Sequence, residues 1–189
     1  MNPKSRSGAA LAVLVSMGVL SGCSSETPGV AEPPESTPEV TSSAPASDGN
    51  SVPRSRELEP CDLLSVGDLD EYGAFEDGEY KDLGSARSCS WQLSNEGGVD
   101  GFVVALNVRD SQNVDSMNDV GAGIKNLNID GRTAARVENP RYGDCTVGIE
   151  IDAQSRVDVT VNGLSSTEES CPIAEDVARV MEPRLPAVP

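Results

Sequence analysis

Five cysteines and no histidine bound the chemistry open to this 189-residue chain. Without an imidazole, a Ser-His or Cys-His nucleophile cannot be assembled, and the usual general base near neutral pH is missing. A zinc or copper site would rest on cysteine or carboxylate alone. Cys61, Cys89, Cys145 and Cys171 are spaced by 28, 56 and 26 residues, with no C-x-x-C among them. That spacing points to disulfides rather than to a metal. Three pairings are open. Cys61–Cys89 with Cys145–Cys171 is favoured, because each bond would tie the start of a helix to a strand close in sequence. Asp68, Asp70 and Glu71, with Asp62 nearby, imitate a hydrolytic carboxylate pair or a calcium loop. No D-x-[DN]-x-[DN]-G pattern supports the second, and acids at a helix start are favoured by the backbone dipole, so a solvated face is expected. No catalytic residue, metal ligand or cofactor motif is assigned. Trp91 has two readings, a core residue packed on a disulfide or a ligand platform. Arg132 and Arg136, rare bases in an acidic chain, either pair with neighbouring acids or mark an anion site.

The fifth cysteine stands apart. Lys4 and Arg6 precede an apolar run from Ala9 to Leu20, the layout of a secretory signal. At 12 residues that run is too short to span a bilayer as a helix, which takes about 20. Leu20-Ser21-Gly22-Cys23 then resembles a bacterial lipobox. The resemblance implies cleavage between Gly22 and Cys23, with Cys23 carrying a diacylglyceryl thioether as the first residue of the mature chain. Residues 1–22 would be the signal and the product would sit in the cell membrane, lipid-anchored on its extracytoplasmic face. Two acyl chains hold a membrane firmly where one does not. That compartment is oxidising, which agrees with an even set of four remaining cysteines.

From Ser24 to Pro60 the chain carries seven prolines and eight serines in 37 residues. It cannot bury enough apolar surface to offset chain entropy and is expected to be a disordered tether, residues 23–60 with the lipidated cysteine. Its reach is roughly 35 Å as a flexible coil and roughly 115 Å as extended polyproline II. Serines and threonines beside proline are a compositional hint of O-glycosylation.

Charge excludes one class of partner. The net charge is −17, and residues 61–189 hold 24 acidic and 10 basic side chains. Such a surface does not neutralise a phosphate backbone, so nucleic acid is not expected as a partner. Attachment to an anionic membrane must come from the lipid, not from the protein's charge.

The elements that would carry the cysteines fall in residues 61–189, a common size for one domain. Ser65 with Asp68 suggests a helix start, Leu69 and Tyr72 its inner face, and Gly73 its end. Residues 74–86 are acidic and glycine-rich and read as a loop. Ala86–Leu93 and Phe102–Val108 read as strands joined by a turn at Asn95–Gly98, the second strand buried on much of both sides. Val114, Met117, Val120, Ile124 and Leu127 recur at helical spacing, interrupted by Gly121 and Gly123, and predict a loose helix. Asn128–Val137 reads as a strand entered through a turn at Gly131. Cys145–Ile151 and Val157–Val161 alternate and are joined by Asp152-Ala153-Gln154-Ser155, a hairpin. A last helix is expected from Cys171-Pro172, with Ala174, Val177, Ala178 and Met181 inward and Pro183 at its end. The fold class is α+β, order α-β-β-α-β-β-β-α, an antiparallel sheet of about five strands with helices packed on one face and two disulfides.

Pro60-Cys61-Asp62-Leu63-Leu64, Cys89-Ser90-Trp91, Gly131-Arg132 with Ala134, Cys145 with Val147, Cys171-Pro172 with Ala174, and Leu185-Pro186 form an ordered set. With the lipobox, the set resembles the actinobacterial lipoprotein family built on the domain of unknown function 3558, over about residues 59–186. Ser170 stands before Cys171 where that family would carry an Asp-Pro or similar. The resemblance implies an exported, membrane-anchored protein and supplies no catalytic residues. Three functions remain open. The first is a non-catalytic binding or accessory module of the envelope, meeting another envelope protein or an apolar ligand. The second is a carboxylate-based envelope hydrolase, and the third is a purely structural envelope protein.

Overall fold

The structure is a computed structural model and describes residues 52–94 and 101–187. The expected signal, Cys23, most of the expected tether and the turn expected at Asn95–Gly98 lie outside the described residues.

Seven strands form one sheet: β1 (Glu79–Asp82), β2 (Arg87–Gln92), β3 (Val103–Arg109), β4 (Ile124–Ile129), β5 (Arg132–Asn139), β6 (Asp144–Asp152) and β7 (Ser155–Asn162). They lie in the order β1-β2-β3-β7-β6-β5-β4, and every neighbouring pair is antiparallel. The α-helix among the described residues is α1 (Thr167–Met181), which packs on β6 and β7. Short 3-10 helices at Arg54–Glu57, Pro60–Asp62, Val66–Tyr72, Val114–Ser116 and Glu182–Arg184 fill the connections.

The alternation of side chains along each strand sets the core. Val104, Leu106 and Val108 of β3 share a face with Val157, Val159 and Val161 of β7 and with Cys145, Val147, Ile149 and Ile151 of β6. Against that face lie Ala174, Val177, Ala178 and Met181 of α1, with Leu63, Leu64 and Leu69 beside them. The opposite face is lined by Ser88, Ser90, Asn107, Thr146, Asp158 and Thr160. Part of it is covered by the strap 110–123, where Val114 and Met117 sit on Ala135 and Val137.

Four expectations are corrected. The sheet has seven strands rather than about five, and helices do not blanket one face. Residues 79–82, expected in a loop, form β1; all four side chains are exposed, so no apolar period marks the strand. The helix expected over Val114–Leu127 is absent. Val114–Ser116 is one 3-10 turn, and β4 begins at Ile124. Gly121 and Gly123 adopt φ of 134° and 80°, and Asp119 accepts the N–H groups of both, which bends the chain and stops any helix. The second strand, expected to be buried on both sides, alternates one side in and one side half-out.

Boundaries shift as well. The helix expected at Cys171-Pro172 starts at Thr167, with Ser166 capping the N–H of Glu169. Residues 54–60, expected in the tether, pack with the domain: Ser55 is 0 % exposed and Pro60 is buried.

Candidate functional site

The two disulfides are Cys61–Cys89 and Cys145–Cys171. The first fastens the 3-10 turn at Pro60–Asp62 to β2. The second fastens α1 to β6. Trp91, two residues beyond Cys89, is 2 % exposed within the main core, with Gly78 close over its indole. A Cβ on Gly78 would lie 2.7 Å from Cys89 Sγ and 2.8 Å from Trp91 Nε1, so glycine lets the β1 segment close over the bond. The indole therefore offers no open ring face.

Arg132 is 4 % exposed; its Nε donates to Glu182 Oε1 at 2.5 Å, and its Nη2 to the carbonyl of Pro186 at 2.5 Å. Arg136, four residues further along β5 and on the same face, pairs with Glu175 of α1 and with Glu138. Both guanidinium groups are thus committed to fixing the end of the chain and α1 against β5. Asp68 is bound by both Nη atoms of Arg184 at 2.8 Å and accepts from Ser65, so its carboxyl titrates well below the usual range, mainly through the Arg184 hydrogen bond. It ties the 3-10 helix Val66–Tyr72 to the one at Glu182–Arg184 and makes no hydrogen bond with Asp70 or Glu71.

The strap 110–123 organises the polar chemistry. Asp158, 3 % exposed on β7, accepts from Arg109 Nε at 2.5 Å and from Arg156 Nε at 2.6 Å. Arg156 then donates to the carbonyl of Asn113 and to Ser116 Oγ, holding the strap on the sheet. A cleft of about 390 Å³ opens on one side, lined by Arg56, Asp82, Ser85, Arg87, Asp110 and Gln112 among others. A second of about 310 Å³ lies on the other side, between Asn113, Val114 and Asp115 of the strap and Thr133, Glu150 and Ala153.

In the larger cleft Arg87 is fully used. It donates to Asp110 and to the carbonyls of Ser55 and Leu58. Burial alone would raise the Asp110 carboxyl, but the hydrogen bonds from Arg87 and Ser55 outweigh it and hold the group ionised. An acid so held cannot deliver a proton near neutral pH. Arg56 lines the same cleft; it makes no side-chain hydrogen bond to a described residue, and its charge helps to keep Asp110 ionised. The arrangement can hold a small polar or anionic group. Asp144, whose carboxyl is raised by burial, lines neither cleft.

Sequence reasoning missed Arg56 because it assigned residues 54–60 to the tether. One signal was available: Arg54 and Arg56 are the only bases between Arg6 and Lys81.

Among the described residues no helix is long and apolar enough to cross a membrane. No group of three or more potential ligand side chains among them is placed to hold a metal. No curated protein and no solved structure matches the chain. A family model described as "Protein of unknown function (DUF3558)" matches residues 18–184, which takes in the Leu20–Cys23 stretch, the tether and all four disulfide cysteines. The ordered cysteine frame, now seen as two closed bonds, and a match over most of the chain place this protein in the DUF3558 family.

Proposed function

We propose that the protein is an extracytoplasmic lipoprotein of an actinobacterial envelope, acylated at Cys23. In this reading residues 24–53 are a proline-rich leash and the disulfide-bonded domain is a non-catalytic binding or accessory module. The observation that carries the reading is the cysteine account. Two disulfides use four of the five cysteines and favour an oxidising compartment. The fifth lies directly behind Leu-Ser-Gly, at the end of an apolar run. The family match extends over that junction, which supports treating it as part of the family's pattern. Binding rather than turnover is favoured by the larger cleft, where an ionised Asp110 and the nearby Arg56 suit recognition of a polar group.

Trypsin leaves the peptide Cys23–Arg54 intact, since no lysine or arginine intervenes. Mass spectrometry of that peptide from membranes should show it beginning at Cys23 and carrying the mass of a diacylglyceryl group. Cys23→Ala should release the chain to the soluble fraction. A peptide beginning upstream of Cys23, or an unmodified thiol there, would overturn the anchor. For the accessory role, crosslinking pull-down from native membranes should recover an envelope partner above the Cys23→Ala background, and its absence would count against that role.

A further inference from the structure

The two edges of the sheet are built differently. An exposed strand edge is a ready template for another strand, and proteins guard such edges with charge, proline or short length. β1 is guarded: three of its four residues, Glu79, Lys81 and Asp82, are charged, and Glu76 and Asp77 precede them. β4 is not. Its six residues, Ile124-Lys125-Asn126-Leu127-Asn128-Ile129, contain no proline and a single charge. That charge is neutralised by a partner on β5, since Lys125 Nζ donates to Glu138 Oε1 at 2.5 Å. Among the described residues the backbone of β4 bonds to β5 alone, so the outer half of its N–H and C=O groups is unpaired. Ile124 and, just before the strand, Val120 are exposed. α1 packs on β6 and β7, two strands in from this edge.

We infer that the β4 edge joins two copies of this chain, antiparallel about a two-fold axis normal to the sheet. The strand is self-complementary in that arrangement. Centring the axis on Asn126 sets Lys125 against Leu127 of the partner subunit; centring it on Leu127 sets Lys125 against Ile129 of the partner subunit. Neither register places like charges opposite each other, which would be destabilising. Each register also keeps the helix-bearing faces of both copies on one side. The chain's own leash is a poor occupant, because its prolines cannot supply the row of N–H donors. The acidity of the domain opposes association over distance, so the dimer strengthens as salt rises.

The test uses the full chain in its membranes, with single replacements Asn126→Cys on β4 and Tyr80→Cys on β1. A short thiol-to-thiol crosslinker should give a homodimer from Asn126→Cys and several-fold less from Tyr80→Cys. Adding Asn128→Lys to Asn126→Cys should cut the dimer several-fold while the melting temperature stays within the range of surface substitutions. Equal yields from both edges, no dimer from a folded Asn126→Cys chain, or capture of a different protein in its place would each overturn the inference. Repeating the crosslinking on the released Cys23→Ala chain keeps the result separate from the anchor.

Discussion

Ser55 donates its hydroxyl to Asp110 Oδ1 at 2.7 Å, joining a residue 55 positions earlier to the end of β3. Ser55 has no exposed surface, so water cannot replace that acceptor. Around the same bond, the Arg54 N–H donates to Asp152 at 2.8 Å, and Arg87 gathers the carbonyls of Ser55 and Leu58. Pro60 and Cys61 follow at once, and the Cys61–Cys89 bond locks them to β2. Residues 54–61 therefore form a clasp that belongs to the fold and lies beside the larger cleft.

The clasp is worth measurable stability. Ser55→Ala should cost about 1–3 kcal/mol in urea unfolding of the chain, because Asp110 keeps its charge and loses a buried donor. Asp110→Ala should cost at least as much, since Arg87 then loses its carboxylate. Arg56→Ala, in the same stretch but with no side-chain hydrogen bond to a described residue, should move the midpoint much less. Equal loss from all three would mean that the segment contributes only by its bulk.

A larger loss is expected deeper in the sheet. Asp158 balances Arg109 and Arg156, and Arg156 and Asp158 are both at least nine-tenths buried. Asp158→Ala strands two cations at the sheet surface and should cost about 3–5 kcal/mol. Because Arg156 also carries the strap, amide exchange at Asn113–Met117 should rise more than exchange in α1. A variant that loses stability without that local exposure would show that the strap does not depend on Arg156.

How much of this was legible follows from side-chain chemistry. β6 and β7 were readable because Cys145–Ile151 and Val157–Val161 alternate cleanly, and both cysteine bonds because each joins partners close in sequence. β1 was not readable, since a strand with every side chain exposed has no apolar period. The spacing of Val114, Met117, Val120, Ile124 and Leu127 matched a helix by coincidence. Two of them pack on the sheet through a 3-10 turn, two are exposed, and Leu127 is half-buried in a strand. The turns at Gly121 and Gly123 decided the matter, through positive φ rather than through helix propensity. The candidate site was half legible. Trp91 and Arg132 were singled out as rare residue types, and both turn out committed within the fold. Arg56 was hidden by the proline-rich composition around it.

Acid should destabilise the protein in a definite window. Asp68, held by the Arg184 hydrogen bond, and Glu138, held by Lys125, both titrate below their ordinary values. So do Asp110 and Asp152, where burial would raise the carboxyl but hydrogen bonds prevail, including the one from the Arg54 N–H to Asp152. A group with a depressed folded pKa contributes stability that is full above its unfolded value and lost as pH falls through the folded one. Unfolded carboxyls titrate near about 4. The melting temperature should therefore hold between neutrality and about pH 5 and fall steeply below about pH 4. Asp68→Asn should lower the plateau and flatten the fall. A fall that begins near neutrality would contradict these assignments.

Two glycines separate backbone strain from packing. Gly84 and Gly143 have nearly the same left-handed φ, 75° and 74°. A side chain at either incurs a similar conformational cost, on the order of 1 kcal/mol. Around Gly84 nothing lies within 4 Å of an added Cβ. At Gly143 that Cβ would meet the carbonyl oxygen of Leu164 at 2.4 Å and the amide nitrogen of Ser166 at 2.8 Å, both backbone atoms that cannot swing aside. The carbonyl of Gly143 also accepts the buried Ser170 hydroxyl at 2.6 Å, next to Cys171 at the start of α1. Gly143→Ala must push the β5–β6 turn away from the α1 cap and strain the seam that Cys145–Cys171 closes. Gly84→Ala should lower stability by about 1 kcal/mol and Gly143→Ala by at least twice that, read from urea midpoints at constant slope. Equal losses would mean that the seam between the β5–β6 turn and α1 yields freely, and that the disulfide alone keeps the helix on the sheet.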